Sequence, residues 1–452
     1  LVPKEYTQNT QTRVDRVRDL IKAPNARIRR LFSLLHPTEI ALVLEDCDEE
    51  TQQRIIRQLP AELISDALAE MDEDTKPGEL LTRLHPRAAA DLVKELDPDD
   101  AADLLAQIGD PYKERILYHV PDEEERVINR LLAYDEESAG GLMNPEVVFV
   151  RENMTSAQAI QEVARLSEEI EDFYIIYVVD NENRLTGYLT FKSLFRSKRG
   201  GLVREVMEGD IISVMDDTDQ EEVAKLMSQY NLPTLPVINH ADQLIGRITF
   251  DDIMDVMEEE NTEDLLNFAG VSEGANLRGG WAETVRSRIP WLLINLMTAS
   301  IAAFTISQFE ATIDAITTIT FFMPIIAGVA GNGATQTLAV TVRRISTDGI
   351  PRSKAASVVF KEVVTGTING LMIGALASIL AIATNSDPLI GLVVFSAMLA
   401  NLTIAGLAGS FVPITLERLG VDPAVASSIL ITAFTDIIGY ILLFGLATSI
   451  LL

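Results

Sequence analysis

The stretch Ile429 to Ala447, ILITAFTDIIGYILLFGLA, is apolar enough to lie in hydrocarbon and yet holds one carboxylate, Asp436, in its middle. If its helix begins near Ala424, Asp436 falls about 18 Å along the axis at 1.5 Å per residue, close to the midplane of a bilayer. An ionised side chain there costs about 2.5 to 3.5 kcal/mol even on the lenient insertion scale. The apolar spans hold no lysine, arginine or histidine to neutralise it. A mobile cation is the simplest partner.

Four further uncharged stretches precede this one: residues 289–309, 315–342, 363–386 and 388–416, with the last span covering 423–452. Each supplies the roughly 20 residues that a helix needs to cross about 30 Å of hydrocarbon. Arg286 and Arg288 precede the first span, and Arg343, Arg344, Arg352, Lys354 and Lys361 crowd the loop after the second. The loops after the first and third spans carry only Glu310, Asp314 and Asp387. Basic loops stay on the cytoplasmic side. The N-terminal part is therefore expected in the cytoplasm and the C-terminus outside.

Charge is segregated along the chain. From Arg286 onward there are eight basic and eight acidic residues, so the net charge of −30 belongs to the preceding part. Such acidity argues against nucleic acid and for cations as partners. Cys47 is the only cysteine, which excludes an internal disulfide. No signal peptide is visible, and because the chain opens on Leu1 its natural beginning is expected to lie upstream or to have been replaced.

Between about residues 30 and 135 the fragments LHP, LPAE, LHPRAAADL, LDPDDAADLL and VPDEEE recur around Pro37, Pro60, Pro86, Pro98 and Pro121. Proline suits the first turn of a helix, and acidic residues suit its N-terminus. A helical solenoid of about 24 residues per repeat is the natural reading. A second repeat aligns YVVDNENRLTGYLTFKSL (Tyr177 to Leu194) without gaps on PVINHADQLIGRITFDDI (Pro236 to Ile253), 59 residues later. Each copy reads as strand, turn, strand and helix, with another helix before it.

This second repeat resembles a tandem pair of cystathionine-β-synthase (CBS) domains. Copy two keeps the signature in Gly246, Thr249 and Asp252, with Arg247 at a normally apolar place; copy one has Gly187 and Thr190 but Ser193 for the aspartate. The resemblance implies one adenine-nucleotide site, for ATP or another nucleotide, at Thr249 and Asp252, and not two. A motif that only closes a strand–helix turn is the other reading.

After the pair comes DDIMDVMEEENTEDLLNFAG, in which Asp251, Asp255 and Glu259 share one helix face beside Glu258. Stacked like charges destabilise a helix by a few tenths of a kcal/mol per pair, and a divalent cation relieves them. A solvated acidic face is the alternative. In the second span, FFMPIIAGVAGNGATQTLAV combines Pro324, Gly328, Gly331 and Gly333 with the amides of Asn332 and Gln336. The expectation is a weakened or opened helix whose amides face protein or water, against plain small-residue packing.

Together these features resemble the MgtE family of magnesium channels over nearly the whole chain. Pro324, Gly331, Asn332 and Gln336 match the family's second-span motif, and Asp436 matches its fifth-span aspartate, with Thr432 and Ser428 one and two turns earlier. Ala330, Gly333, Ala334 and Thr335 depart from the commoner glycine-rich form, and asparagine is common where Ser428 stands. The resemblance implies a multidomain membrane protein that is not an enzyme. Its expected parts are an all-α superhelical domain (residues 1–140), an α/β tandem CBS pair (141–200 and 201–258), a connecting helix (259–285) and an α-helical transmembrane domain of five spans per subunit (286–452).

It further implies a homodimer in the lipid of the plasma (inner) membrane, with Mg2+ as its ion and no nucleic-acid partner. Asp436 would hold a hydrated Mg2+ in a pore lined by Asn332, Gln336, Ser428 and Thr432. Asp251, Asp252, Asp255, Glu258 and Glu259 would sense internal Mg2+ against solenoid residues the sequence does not identify. Three rivals stand beside a channel. An ion-coupled secondary transporter of divalent metals would use the same aspartate to carry a proton. An intramembrane aspartyl protease needs two membrane aspartates in a glycine–aspartate context absent here, and an anion channel needs a deep charge of the other sign.

Overall fold

The structure, a computed structural model, describes residue 32 and residues 35–167, 170, 173–197, 200–271, 280–385, 387–423 and 428–452. The chain forms two compact units, Leu1–Glu258 and Glu259–Leu452.

The first unit opens with short helices: α1 (Pro37–Glu45), α2 (Glu49–Ile56), α3 (Ala61–Ala69), α4 (Pro77–Thr82), α5 (Pro86–Val93), α6 (Pro98–Ala106), α7 (Asp110–Leu117) and α8 (Asp122–Leu131). Pro37, Pro77, Pro86 and Pro98 each take the first helical position, where a missing N–H costs nothing. Pro60 and Pro121 stand one residue earlier, as N-caps, because α3 and α8 begin at Ala61 and Asp122. Helices pack on the helix two places on: α1 on α3, α3 on α5, α5 on α7, and α4 on α6, α6 on α8. That regular stacking is the solenoid the prolines announce.

A one-turn helix, α9 (Ala139–Leu142), leads into the CBS pair. The first repeat runs β1 (Phe149–Arg151), α10 (Ser156–Leu166), β2 (Ile176–Val179), β3 (Leu185–Leu189) and α11 (Phe191–Arg196). The second runs β4 (Val214–Met215), α12 (Gln220–Tyr230), β5 (Thr234–Ile238), β6 (Leu244–Thr249) and α13 (Phe250–Ala269). Both sheets have one parallel and one antiparallel pairing in the same order. The register repeats too, since Val178 pairs with Gly187 as Val237 pairs with Gly246. Even the turn is reproduced: Asn183 and Asp242 both have positive φ (63° and 60°), which short polar side chains tolerate.

The two repeats differ in their company. The first has its own core around Val150, Ile176, Val178 and Leu189. The second shares one continuous apolar core with the solenoid, from Ile40 and Leu68 through Leu105 to Val237, Ile248, Ile253 and Val256. This sharing sets the start of α13 against the solenoid.

The second unit takes the rest of α13 and then α14 (Trp281–Ser307), a short α15 (Glu310–Ala315), a 3-10 turn (Thr317–Phe322), α16 (Met323–Asp348), α17 (Ala355–Asn385), α18 (Pro388–Arg418) and α19 (Ser428–Leu451). Five of these segments are long and apolar enough to cross a membrane. The α16 helix begins later than the sequence suggested, because the 3-10 turn precedes it and Pro324 sits in its first turn. Ala424, taken above as the start of the last span, lies outside the described residues.

The glycines of α16 do not open it. The helix runs unbroken through Gly328, Gly331 and Gly333. Their use is close approach: a Cβ on Gly331 would stand 2.9 Å from the Thr432 methyl, and one on Gly333 2.9 Å from Leu402. Without a hydrophobic drive between helices in lipid, such small residues are what let spans pack. Gly366 and Gly406 serve the same purpose between α17 and α18.

Candidate functional site

Asp436 lies on α19, two turns past Ser428 and one past Thr432, so the three side chains stack on one face. Its Oδ1 is buried and has no hydrogen-bond partner among the described residues. A cavity of about 250 Å3 opens beside it, lined by Ser428, Thr432 and Asp436 on α19 and by Asn295 and Thr298 on α14.

The surroundings fix α19. Ser428 Oγ donates to the Phe268 carbonyl at the end of α13 (3.0 Å), and the Thr432 and Thr335 hydroxyls approach to 3.5 Å. Asn401, fully buried in α18, donates to the Ile326 carbonyl of α16 (3.4 Å). Its Nδ2 lies where a Cβ on Gly439 would be only 2.5 Å away, so glycine is required one turn beyond Asp436. Asn332 and Gln336 lie elsewhere: both are on an exposed face of α16, one turn apart, and neither lines this cavity.

The second cluster, apart from Glu259, lies within the first unit. Sequence placed Asp251, Asp255 and Glu259 on one helix face, and that face, with Glu258, is exposed. The helix buries Ile253 and Val256 instead, which leaves Asp252 half-buried at the edge. Facing it are Asp99, Asp100 and Asp103 in the first turns of α6, with Glu70, Glu73 and Glu136 nearby. These are the solenoid carboxylates that lie near Asp252, which the sequence did not identify. In sequence they read as ordinary helix-start acids, and only the shared core brings them to α13.

Electrostatics reports the crowding. Burial, then Asp97, Asp252, Glu70 and Asp251, push the Asp100 carboxyl up to about 7. Burial and the neighbours Asp100 and Asp252 hold Asp99 well above the usual carboxylate range. Asp252 rises to about 6, chiefly by burial, although hydrogen bonds from Thr249 oppose the shift. Asp103 rises to about 8 through burial and Glu73, but its side chain still meets solvent, so screening leaves less of that effect. Burial and Glu70 raise Asp255. Asn144 is a neutral donor to the solenoid side of the cluster, bonding Asp99 at 3.1 Å and Asp97 at 3.4 Å. A further acidic pair was not foreseen: Asp264 of α13 is raised by burial and by Asp422.

The nucleotide residues are tied to each other. Thr249 Oγ1 donates to Asp252 Oδ2 at 2.6 Å, and the Thr249 N–H reaches the same oxygen at 3.3 Å. Ser193 and Thr190 make the corresponding cap in the first repeat.

Packed carboxylates and a lone one in an apolar helix are both groups whose charge suits cations, and the fold that carries them is that of a membrane transport protein. The profile of the family described as "Divalent cation transporter" matches residues 323–446, that of the MgtE intracellular N domain matches 35–137, and that of the CBS domain matches 139–200 and 203–259. The chain belongs to the MgtE family of magnesium transporters, which is not a class of enzymes. A magnesium transporter MgtE of Enterococcus faecalis is 32% identical over 421 residues, 93% of each chain. One of Thermus thermophilus is 30% identical over 429 residues, 94% of this chain and 95% of that one. A solved cytosolic domain of the Mg2+ channel MgtE in complex with ATP is 32% identical, covers 53% of this chain and 97% of its own, and superposes with a TM-score of 0.50.

Proposed function

We propose that this chain is a Mg2+-selective channel for magnesium uptake, closed by internal Mg2+ through its cytoplasmic carboxylates. The observation that carries the pore is Asp436, whose buried Oδ1 lacks a hydrogen-bond partner among the described residues while its cavity offers hydroxyls and an amide. Magnesium keeps its octahedral water shell at about 2.0 to 2.1 Å and dehydrates reluctantly. A carboxylate with neighbouring hydroxyls holds such an ion through its waters, weakly enough for release.

The working assembly is a homodimer in the lipid of the plasma membrane, with the pore on its two-fold axis and the C-terminus outside. The exposed amides of Asn332 and Gln336 support this, because polar groups at membrane depth need protein or water beside them. Residues 1–140 and the CBS pair (141–200 and 201–258) form the sensor, 259–285 the connection and 286–452 the pore. At high internal Mg2+, ions bridge Asp99, Asp100 and Asp103 to Asp251, Asp252 and Asp255, with Glu258 and Glu259 extending the charged face. At low Mg2+ these groups repel and the connecting helix is released. The ligand then favours one state over the other, as any switch requires. An adenine nucleotide binds the CBS pair at Thr249 and Asp252, as the ATP complex of the related cytosolic domain suggests.

A coupled secondary transporter of divalent cations is the second reading, with Asp436 carrying a proton. Asp436→Ala in proteoliposomes tests the pore: magnesium flux should vanish while insertion and dimerisation persist. Native flux through a well-folded variant contradicts it.

A further inference from the structure

The cavity beside Asp436 has a wall that no reading of the sequence singled out. Asn295, Thr298, Ala299 and Ala302 all line it, at positions i, i+3, i+4 and i+7 of α14. They make one narrow face of that helix. Elsewhere α14 presents mostly apolar, open positions, with Leu292, Leu293, Leu296, Met297 and Phe304 each about 60% exposed or more, while the Ser300 and Thr305 hydroxyls bond back to the helix's own carbonyls. A polar pair set into such a helix is costly unless it meets water or protein.

The geometry gives the pair a chemical sense. The waters around a cation present only hydrogens outward, so a site that holds a hydrated ion must offer acceptors on more than one side. Asp436, Thr432 and Ser428 supply one side. Opposite, the Thr298 hydroxyl donates to the Asn295 backbone carbonyl (2.9 Å), which leaves its lone pairs to accept, and the Asn295 amide brings a carbonyl oxygen. The cavity, of about 250 Å3, has room for several waters.

We infer that Asn295 and Thr298 form the second wall of the ion site, accept hydrogen bonds from the water shell of a Mg2+ held at Asp436, and set its preference over Ca2+. This rests on the reading of Asp436 as the permeation site. Calcium binds oxygen at longer distances in flexible geometry and sheds water readily. It can therefore bind the Asp436 carboxylate directly and has less need of the second wall.

The test uses the full-length protein in planar bilayers. The Mg2+-to-Ca2+ permeability ratio is measured under bi-ionic conditions for the native chain and for Asn295→Leu Thr298→Val. A ratio lowered fivefold or more is expected; a ratio within twofold of native, with Mg2+ current retained, overturns the inference alone. No Mg2+ current through the native protein overturns the ion-site reading and this inference with it. Should the double variant conduct nothing, labelling decides. In a Cys47→Ser background, Asn295→Cys should react with a charged, membrane-impermeant thiol reagent and be protected by Mg2+, whereas Leu296→Cys, its exposed apolar neighbour, should not react. Equal reactivity of the two, or no protection by Mg2+, overturns the second wall.

Discussion

Removing magnesium and raising the pH should loosen the packing of α6 on α13. Asp100 titrates near 7 in the folded unit against its ordinary 3.8, with burial as the main cause and Asp97 and Asp252 adding to it. In that interval the folded state keeps a proton that the unfolded chain has released. The folded state is therefore favoured at the acid end and loses this advantage as the pH rises from about 4 to 7. Three units at about 1.4 kcal/mol each would be on the order of 4 kcal/mol. Asp100 is only half-buried, and solvent screening reduces this to about 2 kcal/mol. That is about a 30-fold change in a local opening constant. Hydrogen exchange on the full-length protein in detergent reads it directly, after correction for intrinsic rates. Amides of Asp97–Ala106 and of the first turns of α13 should lose about 30-fold in protection between pH 4.5 and pH 8 in chelator. Millimolar Mg2+ should restore protection at pH 8 and add little at pH 4.5, where protons already neutralise the cluster; the same ionic strength in potassium chloride should restore much less. Asp100→Asn should flatten the pH dependence. Protection that is constant with pH, or restored equally by potassium, would refute the electrostatic argument.

Two other outcomes are expected. Asp252→Ala removes both the Thr249 cap and the carboxylate placed for a ribose, so calorimetry should show adenine-nucleotide affinity at least tenfold weaker, about 1.4 kcal/mol; no binding to the native protein would leave Thr249 and Asp252 as a helix cap only. A reporter fused after Leu452 that works only in the cytoplasm should stay silent, and activity would mean that the C-terminus lies inside.

Much of this protein could be read from its residues, for identifiable reasons. The 59-residue offset between Gly187 and Gly246 carried over into strand register and turn geometry, because both copies solve the same strand–turn–strand problem. Asp436 was conspicuous because membrane depth makes any charge expensive. The second-span glycines misled in part. Gly331 and Gly333 match an opened helix as well as a closely packed one, and only the positions of Thr432 and Leu402 decide for packing. The acids proposed as a sensor were half legible. Asp251 and Asp255 advertise themselves by spacing, whereas Asp99, Asp100 and Asp103 look like helix-start residues until the shared core turns them toward Asp252. Asn295 and Thr298 carry no charge in a long apolar span, and their meaning depends on the helix that faces them.

The most direct measurement is planar-bilayer recording with Mg2+ as the only permeant cation and its concentration varied on the side of the CBS pair. A gated channel predicts unitary currents whose open probability falls as Mg2+ rises on that side. Closure should weaken when Asp251, Asp255, Glu258 and Glu259 are changed to their amides. Flux without unitary currents, accompanied by a stoichiometric movement of protons, would contradict the channel and favour coupled transport through Asp436.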